Sequence, residues 1–164
     1  MLNPWYVTGF CDGEAVFTYS RAGGSVALYF GIKQREDNRQ IVDDIREFFN
    51  YVGNVYYQVE SKEGQKSGFS QPAVYYRVTK ISELQRIIEH FDKYPLQSQK
   101  KNEAYLIWQQ MVKYKTDNYR SIDYDILRDL TEKLSKLNSQ SRASSRSTIK
   151  AGGILPEAGK IHKK

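Results

Sequence analysis

The chain has 164 residues, 40% hydrophobic and 27% charged, with a net charge of +6, enough for one core and too little for two. No apolar run reaches the length of a membrane span, and no charged-then-apolar leader opens the chain, so neither a membrane protein nor a secreted one is expected. A lone cysteine, Cys11, excludes an intramolecular disulfide, and two histidines, His90 and His162, far apart and without cysteine partners, do not make a structural zinc site. Residues 138–164 hold six basic residues against Glu157 alone, leaving 19 basic and 18 acidic residues elsewhere. Bulk charge therefore does not assign the body to nucleic acid.

The first predicted element is a short helix. Asn3 can cap it, Pro4 suits its first turn, and Gly13 stands where helices usually stop. Asp12 and Glu14 then lie at the negative end of the helix dipole, where a cation is favoured, and a hard divalent ion such as Mg²⁺ takes carboxylate oxygens readily. Gly9 costs about 1 kcal/mol relative to alanine inside a helix. Trp5, Thr8, Gly9 and Asp12 share one side at helical spacing, which reads as a contact surface for another helix. The competing reading is a buried helix ending in a surface Asp-Gly turn.

Val16–Ser20 alternates as a strand, and Ala22-Gly23-Gly24-Ser25 signals a turn. In the second strand, Val26, Leu28, Phe30 and Ile32 point one way, and Ser25, Ala27, Tyr29, Gly31 and Lys33 the other. Asp37 or Asn38 opens an amphipathic helix through Ile41, Ile45, Phe48, Phe49 and Val52, with Gly53 as its stop. Residues 55–60 form a third strand, 61–68 a polar loop, and 73–79 a fourth strand. Ser82 is expected to cap a helix through Leu84, Ile87, Ile88 and Phe91, stopped by Pro95, with His90 a surface or half-buried structural residue. Further helices are expected over about 99–113 and 124–137, the last carrying Ile126, Leu127, Leu130 and Leu134. Residues 1–137 thus read as one α+β domain, a four-stranded antiparallel sheet with helices on one face. Residues 138–164, rich in Ser, Arg, Gly and Lys without periodicity, read as a disordered basic tail that is either inert or a weak contact to phosphates.

The face of the sheet away from the helices collects Val16, Thr18 and Ser20; Ser25, Tyr29 and Lys33; Tyr56, Gln58 and Glu60; and Tyr75, Arg77 and Thr79. Hydroxyls, amides, aromatics and cations of this kind reach base edges when a sheet lies in the major groove. Arg21, Lys62 and Lys66, near strand ends or in the loop, suit phosphates. The alternative is an ordinary solvated sheet face.

Val7-Thr8-Gly9-Phe10-Cys11-Asp12-Gly13-Glu14-Ala15 resembles the nine-residue motif of the LAGLIDADG homing endonucleases, most specifically at Gly9-Phe10, Asp12-Gly13 and Glu14. Ala15 departs from the usual final glycine. A second segment, His90–Leu96 continuing through Ser98, Lys100 and Tyr105 to Trp108, is also similar to this family. The resemblance implies an αββαββα fold and a site-specific DNA endonuclease encoded in an intron. It would cut a long pseudo-palindromic double-stranded site with two or more Mg²⁺ ions per dimer. Only one motif is present, so the resemblance implies a homodimer packed at Trp5, Thr8, Gly9 and Asp12. It makes Glu14 the metal-binding acid, the Gly13 carbonyl an extra ligand and Asp12 a support for the helix end. Gln34 would orient solvent, and Lys100 would be the basic residue near the scissile phosphate, with Lys101 in reserve because the spacing after Pro95 is not fixed. Implied alternatives are a maturase acting on intron RNA, a non-cleaving DNA binder, or half of a two-motif protein. The compartment implied is an organelle or a bacterial cytoplasm.

Overall fold

The computed structural model describes residues 1–22, 25–59 and 71–138. In chain order the elements are α1 (Pro4–Glu14), β1 (Ala15–Ala22), β2 (Ser25–Arg35), a 3-10 turn (Glu36–Asn38), α2 (Arg39–Phe48), β3 (Asn54–Gln58), β4 (Ala73–Val78), α3 (Ile81–Lys93), α4 (Gln99–Asp117) and α5 (Tyr124–Asn138). The expected α+β order is therefore present, followed by two further helices. The strands form one antiparallel sheet in the order β1-β2-β4-β3. Among the described residues no helix is long and apolar enough to cross a membrane.

Period-2 alternation decides which face is covered. Phe17, Leu28, Phe30, Ile32, Val74, Tyr76 and Val78 are buried beneath α2, α3 and α4. Phe17 is the hub. Its ring centre lies 5.1–5.5 Å from those of Phe30, Phe91, Tyr105 and Trp108. Edge-on packing of this kind adds to the area these rings bury. The Trp108 indole N–H donates to the Thr18 carbonyl at 3.2 Å and the Tyr76 hydroxyl to the Val52 carbonyl at 2.9 Å, so the polar tips of two large core rings are matched.

Several element ends differ from expectation. Gly13 does not end α1. The helix runs through Glu14, and Ala15 turns straight into extended backbone at φ −78°, its N–H still donating to the Cys11 carbonyl. Strand pairing of Ala15 with Ile32 takes over where a glycine cap was expected. Ser82 does not cap α3. The helix begins at Ile81, where the Lys80 carbonyl accepts from the N–H groups of Glu83 and Leu84 without any side-chain cap. α2 stops at Phe48, and Asn50 and Tyr51 adopt left-handed φ values of 57° and 59°. Gly53 is required there on two counts. Its φ is +71°, and a Cβ would stand 2.3 Å from the Arg77 carbonyl oxygen. α4 is longer than expected and ends at Asp117, which pairs with Lys113. Glu60, Lys62, Lys66, the loop over 61–68 and the tail from 139 lie outside the described residues.

Candidate active site and nucleic-acid interface

α1 has two unlike sides. Val7, Thr8, Cys11 and Ala15 are buried. Thr8, only 1% exposed, donates its hydroxyl to the Tyr94 carbonyl at 2.9 Å. Its one proton being used there, Thr8 accepts from His90 Nε2 at 3.1 Å, which makes His90 the Nε2-protonated neutral tautomer. His90 is 8% exposed, and burial pushes its pKa down to about 4. Burial likewise pushes the Cys11 thiol up, so it stays a thiol.

The opposite side carries Trp5 (52% exposed), Tyr6 (50% exposed), Gly9 and Gly13. A Cβ at Gly9 or Gly13 would meet nothing within 4 Å. Of the four residues expected to make a helix contact, Trp5 and Gly9 are on this open side. Thr8 is turned inward and committed to Tyr94 and His90, so it does not line the open surface. Asp12 is also committed within the chain. Its carboxylate accepts from the backbone N–H groups of Gln97 (3.1 Å) and Ser98 (2.8 Å) and from the Ser98 hydroxyl. Ser98 is the N-cap residue of α4, so Asp12 supplies from outside the acid that a helix N-terminus favours. This joins the last turn of α1 to the first turn of α4. Tyr6 completes the open side, and its spacing of three from Gly9 is the signal that marks it.

Glu14 is exposed at the last turn of α1 and accepts from Gln34 Nε2 at 2.9 Å. Gln34 is near the end of β2, two residues beyond the Ala15–Ile32 pair. Asn38 donates to the Gln34 side-chain oxygen at 3.5 Å, which settles which way that amide points. Asn38 was not expected here. Lys101, not Lys100, enters this neighbourhood. Lys100 is exposed on the first turn of α4. Lys101 reaches across to donate to the Ala15 carbonyl, is half-buried, and has its pKa lowered by that burial, opposed by the charges of Asp12 and Glu14. One residue of helix, about 100° of rotation, separates the two lysines.

The donors here are hard oxygens: the Glu14 carboxylate and backbone carbonyls at the end of α1, Gly13 among them. They fit a divalent cation chemically. Among the described residues, however, no group of three or more His, Cys, Asp or Glu side chains could hold a metal.

The outward sheet face is built in cross-strand rows. One runs Val16–Gly31–Arg77–Asn54, the next Lys33–Tyr75–Tyr56, and Thr18 pairs with Tyr29. Arg77 lies over the Tyr29 ring at 4.6 Å and Lys33 over the Tyr75 ring at 4.8 Å. The Tyr75 hydroxyl donates to Gln58 Oε1 at 2.8 Å. Ser20, Ser25, Lys33, Tyr56 and Arg77 are exposed, while Thr18, Tyr29, Gln58 and Tyr75 are half-buried. Arg21 is exposed near the distal end of β1, its guanidinium 6.0 Å from the Tyr19 ring. Asn54 was not expected on this face, because the third strand was expected to begin one residue later. The structure thus brings Glu14, Gln34 and Lys101 together at one end of the face that carries the proposed DNA contacts.

Comparison with known proteins bears on the family and the fold. Residues 7–112 match the family model for the LAGLIDADG endonuclease. The chain is 31% identical over 127 residues to an uncharacterized 50.9 kDa protein in ND4 intron 1 of Podospora anserina, and 30% identical over 145 residues to the "Probable intron-encoded endonuclease 2" of Neurospora crassa. The matches cover 72% and 84% of this chain but only 26% and 29% of those relatives, so the chain spans under a third of their length. Among solved structures, the LAGLIDADG meganuclease I-AabMI bound to uncleaved DNA aligns with TM-score 0.63 at 29% identity, over 85% of this chain and 44% of that one. The homing endonuclease I-TnaI aligns with TM-score 0.61 at 23% identity, over 88% of this chain and 92% of that one. The motif helix, the sheet that follows it and the matched sequence together place this chain in the LAGLIDADG endonuclease family.

Proposed function

We propose that this chain is a site-specific DNA endonuclease, working as a homodimer and hydrolysing both strands of a long pseudo-palindromic site with Mg²⁺. The observation that carries the reading is the conjunction at the end of α1. Glu14 is held by Gln34, Lys101 is anchored beside it, and the adjoining side of α1 is left open at Gly9 and Gly13. A two-fold pairing of these open sides juxtaposes two copies of Glu14 near the axis, and the two sheets then extend as one surface.

In that assembly Glu14 and the Gly13 carbonyl hold the metal, which when bound neutralises phosphate charge and activates water. Gln34, donating to Glu14 and fixed by Asn38, keeps the carboxylate in one orientation and presents an amide to solvent. Lys101 places a cation where negative charge builds on the phosphate; its desolvation makes that charge more effective than one in water. The outward sheet residues Thr18, Ser20, Ser25, Tyr29, Lys33, Tyr56, Gln58, Tyr75 and Arg77 contact bases, and Arg21 a phosphate. The DNA-bound meganuclease of the same fold supports double-stranded DNA as the partner. The alignment over 92% of I-TnaI fits a chain of single-domain size. The two intron-associated fungal relatives support an intron-encoded protein acting in an organelle.

Incubating the chain with a randomised duplex library, with Mg²⁺ or with chelator, tests the activity. Paired cuts at a shared sequence, dependent on metal, are expected, and no metal-dependent cutting of any duplex refutes the reading. Light scattering tests the assembly, for which twice the 19.1 kDa chain mass is expected. A stable monomer on DNA removes the homodimer.

A further inference from the structure

The outward face carries two cations seated on tyrosine rings, and they are not equivalent. Arg77 is on β4, an inner strand, paired with Gly31 of β2 on one side and Asn54 of β3 on the other. Gly31 presents no side chain, so the guanidinium crosses that space to lie 4.6 Å from the centre of the Tyr29 ring, two residues away along β2. A Cβ at Gly31 would already touch Val16 at 3.4 Å and the Tyr29 ring at 3.5 Å, so a larger side chain there would occupy the arginine's path. The result is an exposed guanidinium held in the interior of the face rather than at its margin.

Resting on the reading of this chain as a DNA-binding protein, we propose that Arg77 reads guanine. Its planar fork donates to O6 and N7 of one guanine in each half-site, and Tyr29 acts as the positioning residue. Three arguments converge. A fork with parallel N–H groups matches the two guanine acceptors, the commonest specific side-chain contact in the major groove. Stacking on an aromatic ring restricts the side chain before DNA arrives, so less conformational freedom is lost on binding. Arg77 is on an inner strand, surrounded by the other polar groups of the face, whereas Arg21 stands near a strand end. Lys33 on Tyr75 lacks the geometry for the same task, because an ammonium on a flexible stem does not fix two acceptors at once.

The test is selection from a randomised duplex library by the full chain and its variants, with retained duplexes sequenced. The wild type is expected to enrich guanine at one position per half-site, other bases there binding on the order of tenfold to a hundredfold more weakly. Arg77→Gln is expected to erase that preference and leave the remaining positions intact. Arg77→Lys keeps the salt dependence of binding and loses most of the preference. Tyr29→Leu lowers the preference a few-fold, and Tyr29→Phe, which keeps the ring, restores it. Lys33→Gln leaves this position unchanged. Thermal melts of each variant separate lost readout from lost folding. A wild-type profile whose every position survives Arg77→Gln overturns the proposal while leaving DNA binding standing. So does a loss spread evenly over all sequences, the mark of a phosphate contact. A wild type that enriches no sequence overturns both.

Discussion

The two sides of α1 spend the same eleven residues differently. On the inward side every polar group has an internal partner: Thr8 with Tyr94 and His90, Asp12 with the start of α4. On the outward side two glycines stand where, among the described residues, a Cβ would meet nothing within 4 Å, although glycine inside a helix costs roughly 1 kcal/mol relative to alanine. Helical rotation divides a packed side from an open one. Residues one position apart in the motif, Thr8 and Gly9, fall one on each side.

Substitutions can break that division or sharpen it. The largest expected effect is Glu14→Gln, which lowers cleavage by about three orders of magnitude, about 4 kcal/mol of barrier, with DNA retention and melting temperature unchanged. Single-turnover cleavage beside a binding assay checks it, and undiminished cutting removes Glu14 from the chemistry. Next is acid sensitivity of the inward side. The folded His90 has its pKa depressed to about 4 from 6.5. The unfolded chain therefore binds more protons between those values, and stability falls as pH falls through that window, by about 3 kcal/mol in total. Denaturant titrations between pH 7 and 4 measure it, and a flat profile places His90 elsewhere.

Thr8→Val leaves the His90 N–H and the Tyr94 carbonyl unmatched and is expected to cost about 1–3 kcal/mol of folding stability. Its dimer dissociation constant should hold if the two sides are separate. Gly9→Leu is the mirror case. It weakens association about tenfold to a hundredfold through overpacking, while the isolated chain gains up to about 1 kcal/mol from helix propensity. Sedimentation and melting together distinguish the two patterns. The smallest effect is Asn38→Ala, a few-fold loss in cleavage rate with binding intact, since Gln34 keeps its bond to Glu14.

Much of this was legible in the residues. Alternation in Val26–Lys33 assigned both faces of β2 correctly, because side-chain period in a strand is a local property. The helix start at Asn3 was legible for the same reason, since a cap is made by its nearest neighbours. The Gly13 stop was not, because pairing between Ala15 and Ile32, 17 residues apart, outweighed a local preference. Nor was the start of α3, where Ser82 lies within the first turn.

By itself, then, the sequence determined the αββαββα order, the two faces of the sheet and the acid at the end of α1, all short-range patterns of polarity and backbone preference. Only the tertiary structure decided that Thr8 and Asp12 serve the chain's own packing. It alone chose Lys101 over Lys100 beside Glu14 and laid Arg77 on Tyr29. Each of those depends on the angle at which α3, α4 or β4 meets a distant segment, and a rotation of one residue moves a side chain to another face.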